Sequence, residues 1–255
     1  MSLLAPPKFR RYLRWFWLIV ITPVILLFLI VLATAFGLFG ELPSFAELEN
    51  PSTYQATEIY SSDLKLLGKY YRENRSLVHY EDLSPNLVNA LKATEDIRFE
   101  SHSGVDIRGL VRAVLNLGSK GGGSTLTQQL AKNLFHEIPD NKIERIIQKI
   151  QEWIISARLE RSYTKHEILA MYLNTVEFGA NAFGIRSASS TFFKKEPKDL
   201  SLEEAALLVG MLQAPTKYNP VRNYDRALLR RNVVLSQLRK YQYIDDLKFD
   251  MLKRK

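Results

Sequence analysis

Between Trp15 and Gly40 the chain reads "WFWLIVITPVILLFLIVLATAFGLFG", without one charged side chain. A helix that is apolar on every face must be covered all round, by a bilayer or by a protein core. About 26 residues in helix reach roughly 39 Å, enough to cross a hydrocarbon core of about 30 Å with some tilt. Trp15 and Trp17 stand at one end of the run, where amphipathic rings favour the membrane interface. A cleaved signal peptide is the competing reading, but its apolar region is usually shorter and is followed by a small-residue cleavage site. "KFRRYLR" precedes the run, and the positive-inside bias places that end in the cytoplasm. The expected organisation is a cytoplasmic basic tail (1–14), a transmembrane helix (15–40), a linker (41–55), a domain outside the membrane (56–245) and a C-terminal tail or start of a linker (246–255). Such a chain sits in the inner (cytoplasmic) membrane as a single-pass protein with its domain extracytoplasmic.

Charge and composition narrow the class of that domain. The formal charge is +8, and Lys8, Arg10, Arg11 and Arg14 supply half of it. The remainder holds 31 basic and 27 acidic residues, a balance of +4. No dense Lys/Arg stripe marks a nucleic-acid partner. The chain has no cysteine, which excludes disulfides and thiolate metal sites within it. "ATEIYSSDLKLLGKYYRENR" alternates enough for one short hairpin. From Ser84 onward the periodicity is helical, beginning with Ser84 as N-cap and Pro85 at the first helical position of "DLSPNLVNALKATED". The expected fold is mostly α.

"GGGSTLTQQLAKN", residues 121–133, brings glycines to the start of a helix, where backbone N–H groups and the helix dipole favour a phosphate. A nucleotide loop of the G-x-x-x-x-G-K-[ST] type needs lysine where Ser124 stands, and a compartment outside the membrane lacks ATP. Some other phosphate is the better fit. Glu95 meanwhile continues the row of Leu87 and Leu91 at i, i+4 and i+8. A carboxylate there is either solvated at the helix end or held in a cleft fit for proton transfer. In the nearby "DIRFESHSGVD", Phe99 can cover such a site, and His102 with Gly104 suggests a turn of defined shape. In the helix of residues 142–161, Ile143, Ile146, Ile147, Ile150, Trp153, Ile154 and Ala157 form an apolar stripe. Arg145, Lys149, Glu152 and Ser156 run along its flank. That flank is a surface salt-bridge row or a cation row for a pyrophosphate.

Five stretches, "ATEDIRFESHSGVD", "GGGSTLTQQLAKN", "KIQEWIISARLE", "ILAMYLNTVEFGANAFGIRSAS" and "EEAALLVGMLQAPTKYNP", resemble the five motifs of the peptidoglycan glycosyltransferases (glycosyltransferase family 51). These enzymes form the front domain of class A penicillin-binding proteins and also occur as monofunctional enzymes. The resemblance covers roughly residues 50–240, and five motifs in order make it specific. It implies a lysozyme-like helical fold with a smaller membrane-associated lobe. It also implies the substrates lipid II and a growing glycan strand, a membrane setting, and other cell-wall synthesis proteins as partners. Glu95 falls on the family's general base, which takes the proton of the acceptor 4-hydroxyl as that oxygen attacks the anomeric carbon. The centre inverts and undecaprenyl pyrophosphate leaves. Glu152 falls on the second family glutamate, at the pyrophosphate region. A divalent cation, Mg or Mn, near Glu152 is compatible with the resemblance, which implies no organic cofactor. Lys132 matches a phosphate-contacting lysine. Ser124, Thr125, Gln128, Gln129 and Asn133 match other polar positions of the same motif. Phe99, His102 and Asn174 are carried over as substrate-binding positions from the first and fourth motifs, and Lys149 from the third.

One position departs from the pattern. Where the family has an arginine one turn before an Arg-Lys pair, this chain has Glu144 and then Gln148, although Lys149 remains. Arg145 lies seven residues, close to two helical turns, before Glu152 and is expected to replace the missing cation. Two other readings remain open. A lysozyme-like glycan-cleaving enzyme would use a glutamate but would not need Lys132 or a cation row. A non-catalytic membrane scaffold would not need Glu95 and Glu152 together. "SYTK", residues 162–165, fits S-x-x-K, but no companion transpeptidase element follows it.

Overall fold

The computed structural model describes residues 7–40, 42–44, 57–60, 66–70, 77–115, 122–135 and 139–254. Helix α1 (Pro7–Ala35) contains the apolar run. Within it Phe9–Ala35 is long and apolar enough to cross a membrane, with a mean hydropathy of 3.0 in its apolar window. The helix begins earlier than the expected span because the basic stretch is rich in Arg, with Lys8 beside it, both good helix formers. It stops at Ala35, before the turn that carries Gly37 and Gly40. Of the expected linker, only residues 42–44 fall within the described part. The expected hairpin is present: β1 (Thr57–Tyr60) and β2 (Leu66–Tyr70) pair antiparallel, with a register irregularity between Ile59 and Tyr60.

Among the described residues the remaining regular structure is helical, apart from one antiparallel β-bridge between Glu177 and Phe183. Helix α2 (Pro85–Glu95) starts as its sequence dictates, with the Ser84 side chain accepting the Asn86 N–H and Pro85 in the first turn. It is followed by α3 (Ile107–Leu115), α4 (Leu126–Phe135), α5 (Lys142–Ser162) and α6 (Lys165–Thr175). The chain then forms α7 (Ile185–Phe193), α8 (Leu202–Met211), α9 (Tyr224–Lys240) and α10 (Asp246–Arg254). Helix α8 is the central one. A capping box between Ser201 and Glu204 opens it, and Ala205, Ala206, Leu208, Val209 and Met211 are all fully buried. Being apolar on nearly every face, it can be covered only from several sides. Accordingly α2 and α9 pack against it and against each other. On the other side α4 packs on both α5 and α6, joining Leu126 and Leu130 to Ile155, Leu159 and Leu169.

One expectation is corrected here. Residues 246–255, read as a tail or linker, contain α10, which packs on α9 and buries Phe249 and Leu252. Along the Ile143–Ala157 stripe burial is uneven: Ile143 is 72% exposed and Ile146 61%, whereas Ile150 is buried, as are Gln148, Glu152, Ile155, Ser156 and Leu159. Helix α5 turns its polar flank inward to α4 and leaves the start of its apolar stripe facing out. That stripe is on the helix against which α1 packs. The Gln151 side chain donates to the Phe39 carbonyl (3.3 Å) and Arg158 to the Pro43 carbonyl (3.2 Å), so the chain leaving α1 is tied along α5.

Candidate active site

Glu95 is the last residue of α2, half-buried, at the point where the Leu87–Leu91 row runs out of the core. Its Oε2 accepts a hydrogen bond from Gln129 Nε2 (3.0 Å). The Tyr172 hydroxyl in turn donates to Gln129 Oε1 (2.9 Å), which fixes which way that amide faces. Burial, and after it the charge of Glu95, push the Tyr172 phenol far above its ordinary value, so it stays a donor. The carboxylate opens on a cleft of about 910 Å³ whose wall also includes Arg98, Asp106, Arg112 and Ser124. Arg98 and the Gly109 N–H both bond Asp106. Burial raises the Asp106 pKa, but those two contacts outweigh it and hold the carboxyl below its ordinary value.

The start of α4 is less open to a ligand than the glycine run suggests. Asp96 already sits there: its Oδ2 accepts the Leu126 N–H (3.0 Å) and contacts His102 Nε2 (2.9 Å). Thr125 Oγ1 accepts the Gln128 N–H (3.2 Å). The anion favoured by this helix N-terminus is thus a side chain of the protein itself. Thr125 Oγ1 and Gln128 Nε2 both donate to the Gly104 carbonyl, at 2.6 and 3.2 Å. Gly104 has φ +89, and a Cβ on it would lie 2.8 Å from the Ser156 backbone. Only glycine fits there, where the turn after α2, the start of α4 and the middle of α5 converge. Gly123 passes α3 in a similar way, its Cβ position 3.2 Å from Ala113 and Leu110.

A second cleft, of about 920 Å³, adjoins the first, and Ser124 and Gln129 line both. Lys132, Lys142, Arg145 and Lys149 contribute cations to it, and Glu152 lies at its base. Lys149 Nζ pairs with the buried Glu152 carboxylate and donates to Ser124 Oγ (3.0 Å), which aims the ammonium at the junction of the clefts. Among the described residues no carboxylate forms an ion pair with Lys132 or Arg145. The cleft is also lined by apolar side chains: Ile146, Ile150, Trp153 and, from α1, Leu27. The exposed end of the α5 stripe therefore lines a site.

The expected residues divide into groups. Glu95, Ser124, Thr125 and Gln129 line the first cleft; Ser124, Gln128, Gln129, Lys132, Arg145, Lys149 and Glu152 line the second. Phe99 is fully buried in the core under the Lys165 ammonium (4.3 Å from its ring centre), so it supports the turn from beneath. His102 is likewise buried against Asp96. Asn174 clamps the Val78 backbone, donating to its carbonyl (2.8 Å) and accepting its N–H (2.9 Å). Asn133 is exposed and lines neither cleft. In "SYTK", Ser162 ends α5 and Thr164 caps α6 in a capping box with Glu167. Lys165 pairs with Glu160 (2.7 Å) and donates to the His102 carbonyl (2.7 Å). That lysine is a structural tie, and no nucleophile stands beside it in a cleft.

The donor set at Glu152 does not fit a divalent ion held by the protein. Among the described residues no three His, Asp or Glu gather anywhere, and Glu152 is already engaged by Lys149. No step below is routed through a metal.

Residues 63–239 match the family model described as Transglycosylase. The chain belongs to the transglycosylase family. It is 34% identical over 243 residues to penicillin-binding protein 1A of Pseudomonas aeruginosa, a match that covers 94% of the chain and 29% of that relative. It is 38% identical over 225 residues to penicillin-binding protein 1A of Aquifex aeolicus, covering 87% of the chain and 30% of the relative. With penicillin-binding protein 1A of Escherichia coli it shares 38% identity over 214 residues, 82% of the chain and 25% of the relative. The chain thus spans less than a third of the length of each of these curated relatives. The crystal structure of Haemophilus influenzae penicillin-binding protein 1A covers 80% of the chain and 21% of its own, at 24% identity and a TM-score of 0.45.

Among the cleft residues that went unnoticed in the sequence are Arg230, Val233, Gln237, Lys240 and Tyr241, which line the first cleft from α9 or its end. Positions 230, 233, 237 and 240 fit one face of a helix, which was the available signal.

Proposed function

We propose that this transglycosylase polymerises lipid II into the glycan strands of peptidoglycan. The observation that carries the reading is the junction of the clefts. A carboxylate held by a directed amide lies on one side of Ser124 and Gln129, and a group of cations lies on the other. Glu95 takes the proton of the acceptor 4-hydroxyl while that oxygen forms a bond to the anomeric carbon of the growing strand. The bond from that carbon to the phosphate oxygen breaks on the opposite face, so the centre inverts and the electron pair leaves with undecaprenyl pyrophosphate. Lys132, Arg145 and Lys149 meet the charge that develops on the leaving group. Glu152 acts through Lys149, which it holds at the junction. A glycan-cleaving enzyme has no need of that cation cluster, and a scaffold has no need of the Glu95 relay.

The setting follows from α1. We place the basic end of α1 in the cytoplasm and the domain outside the inner membrane. The second cleft borders the apolar run of α1 at Leu27, so its apolar residues Ile146, Ile150 and Trp153 are suited to the prenyl chain of the substrate.

Labelled lipid II given to the purified chain is expected to become polymer. Unchanged lipid II together with cleavage of finished glycan would instead mark a hydrolase. A reporter active only outside the cytoplasm, fused after residue 255, is expected to be active and to stay with membranes through a high-salt wash. Release of a soluble fragment beginning near residue 41 would show that α1 is removed as a signal peptide.

A further inference from the structure

Ser124 lines both clefts, yet residues 122–125 belong to no helix or strand, so no backbone ladder fixes its place. Its neighbours hold it instead. On one side Thr125 donates to the Gly104 carbonyl, on the turn that rests against the Ser156 backbone of α5. On the other side Gly123 lies against α3. A Cβ on Gly123 would be 3.2 Å from Ala113 Cβ, 3.2 Å from Leu110 Cα and 3.5 Å from the Gly109 carbonyl oxygen. Burial of Ile107, Val111 and Leu115 does not seat α3, because all three are exposed. Its start is fastened by other means. Asp106 accepts the Gly109 N–H (3.0 Å) and pairs with Arg98, in the turn that follows Glu95. That pair lies so close to the helix that a Cβ on Gly109 would be 2.5 Å from Asp106 Oδ2 and 3.2 Å from Arg98 Nη2.

We propose that α3 is a positioning element for the leaving-group site, with Ala113 and Gly123 as its point of contact; this rests on the function proposed above. Helix α3 sets the Gly123 backbone, and that placement holds Ser124 Oγ where it receives the Lys149 ammonium (3.0 Å). The other partner of Lys149 is Glu152, one turn further along the same helix, which holds the ammonium on α5 wherever Ser124 stands. Ser124 is the contact that directs it to the junction of the clefts. Interiors are close-packed, so one added methyl at this contact displaces a neighbour by a few tenths of an ångström. The displacement is felt at Ser124 and Lys149. It leaves the hydrogen bonds from Tyr172 to Gln129 and from Gln129 to Glu95 in place, because those side chains stand on α6, α4 and α2. The contact thus tunes the cation that meets the leaving group without touching the base.

The test uses the full chain and approaches the contact from both sides. Gly123→Ala and Ala113→Val are each expected to lower kcat/KM for lipid II about tenfold. Ala113 lines neither cleft, so its variant cannot act by blocking substrate. The pair Gly123→Ala, Ala113→Gly gives the new methyl room on one side and is expected to recover part of the loss. A general fault in folding would not be mended by a glycine inside α3, which by itself weakens the helix. In Ser124→Ala protein, Gly123→Ala is expected to lower kcat/KM by less than about twofold more, because the contact it disturbs is already gone. A full loss in that background, or no recovery in the paired variant, overturns the proposal. A second measurement does not depend on turnover. Inorganic pyrophosphate is titrated into the wild type, Gly123→Ala and Ala113→Val. Both variants are expected to bind it about fivefold more weakly, the net contribution of one hydrogen bond. Equal affinity, or no binding by the wild type, overturns the positioning role. Weaker binding by the variants of a chain that never polymerises lipid II would remove the proposed function and leave this inference standing.

Discussion

Glu95→Gln is expected to lower lipid II polymerisation by about a hundredfold or more, because the amide cannot take the acceptor proton. The variant keeps the shape of the side chain. Its carbonyl oxygen can still accept the Gln129 amide that now reaches Glu95 Oε2 at 3.0 Å. Tyr172 continues to hold that amide from behind, through a hydroxyl that burial keeps protonated. No buried charge loses a partner, so thermal unfolding should shift little. Rate and stability therefore separate, which a structural role for Glu95 does not allow. Polymerisation near the wild-type rate in Glu95→Gln would take Glu95 out of the mechanism. The relay gives a further handle on the same step. Tyr172→Phe removes the donor that orients Gln129, so the amide can rotate its oxygen toward Glu95.

The parts of this molecule that were legible in the sequence are those set by local rules. The Ser84–Pro85 helix start, the apolar continuity of α1 and the Glu95 row follow from capping, hydropathy and period alone. What stayed hidden depends on which elements meet. Nothing in the sequence of α5 says that α4 covers part of its polar flank or that α1 lies near the stripe. Likewise the glycine run reads as an anion cradle. The Asp96 side chain that already satisfies Leu126 comes from 30 residues away. Thr125 and Gln128 have the polarity of ligand residues, but the Gly104 carbonyl that engages them lies on a separate turn. The α9 residues of the first cleft were missed for the same reason: their periodic face is visible, but the cleft they share with Glu95 is tertiary.

Arg145 allows the substitute-cation reading to be tested quantitatively. It lines the second cleft together with Lys132, Lys149 and Glu152, as two helical turns of separation require. The structure also shows why Glu144 occupies the place of the family arginine. Its carboxylate accepts the Asp140 N–H (2.9 Å) and the Asn141 amide (2.7 Å), while Asn141 caps α5. An acid there is favoured by the start of the helix, and an arginine would forfeit that. Charge-assisted contacts to phosphate are worth about 1.5–3 kcal/mol, so Arg145→Ala should lower kcat/KM for lipid II by about tenfold to a hundredfold. Arg145→Lys should fall between, keeping the charge and losing the planar fork. The exchange Glu144→Arg, Arg145→Glu should recover part of the alanine loss in rate, at a cost of about 1 kcal/mol in stability from the broken cap. A mere surface row would give a different pattern: at most about 1 kcal/mol of stability per change and intact turnover at saturating lipid II. Polymerisation measured against lipid II concentration, with thermal unfolding of each variant alongside, separates the two. Kinetics unchanged in Arg145→Ala would mean that Lys132 and Lys149 meet the leaving phosphates without it.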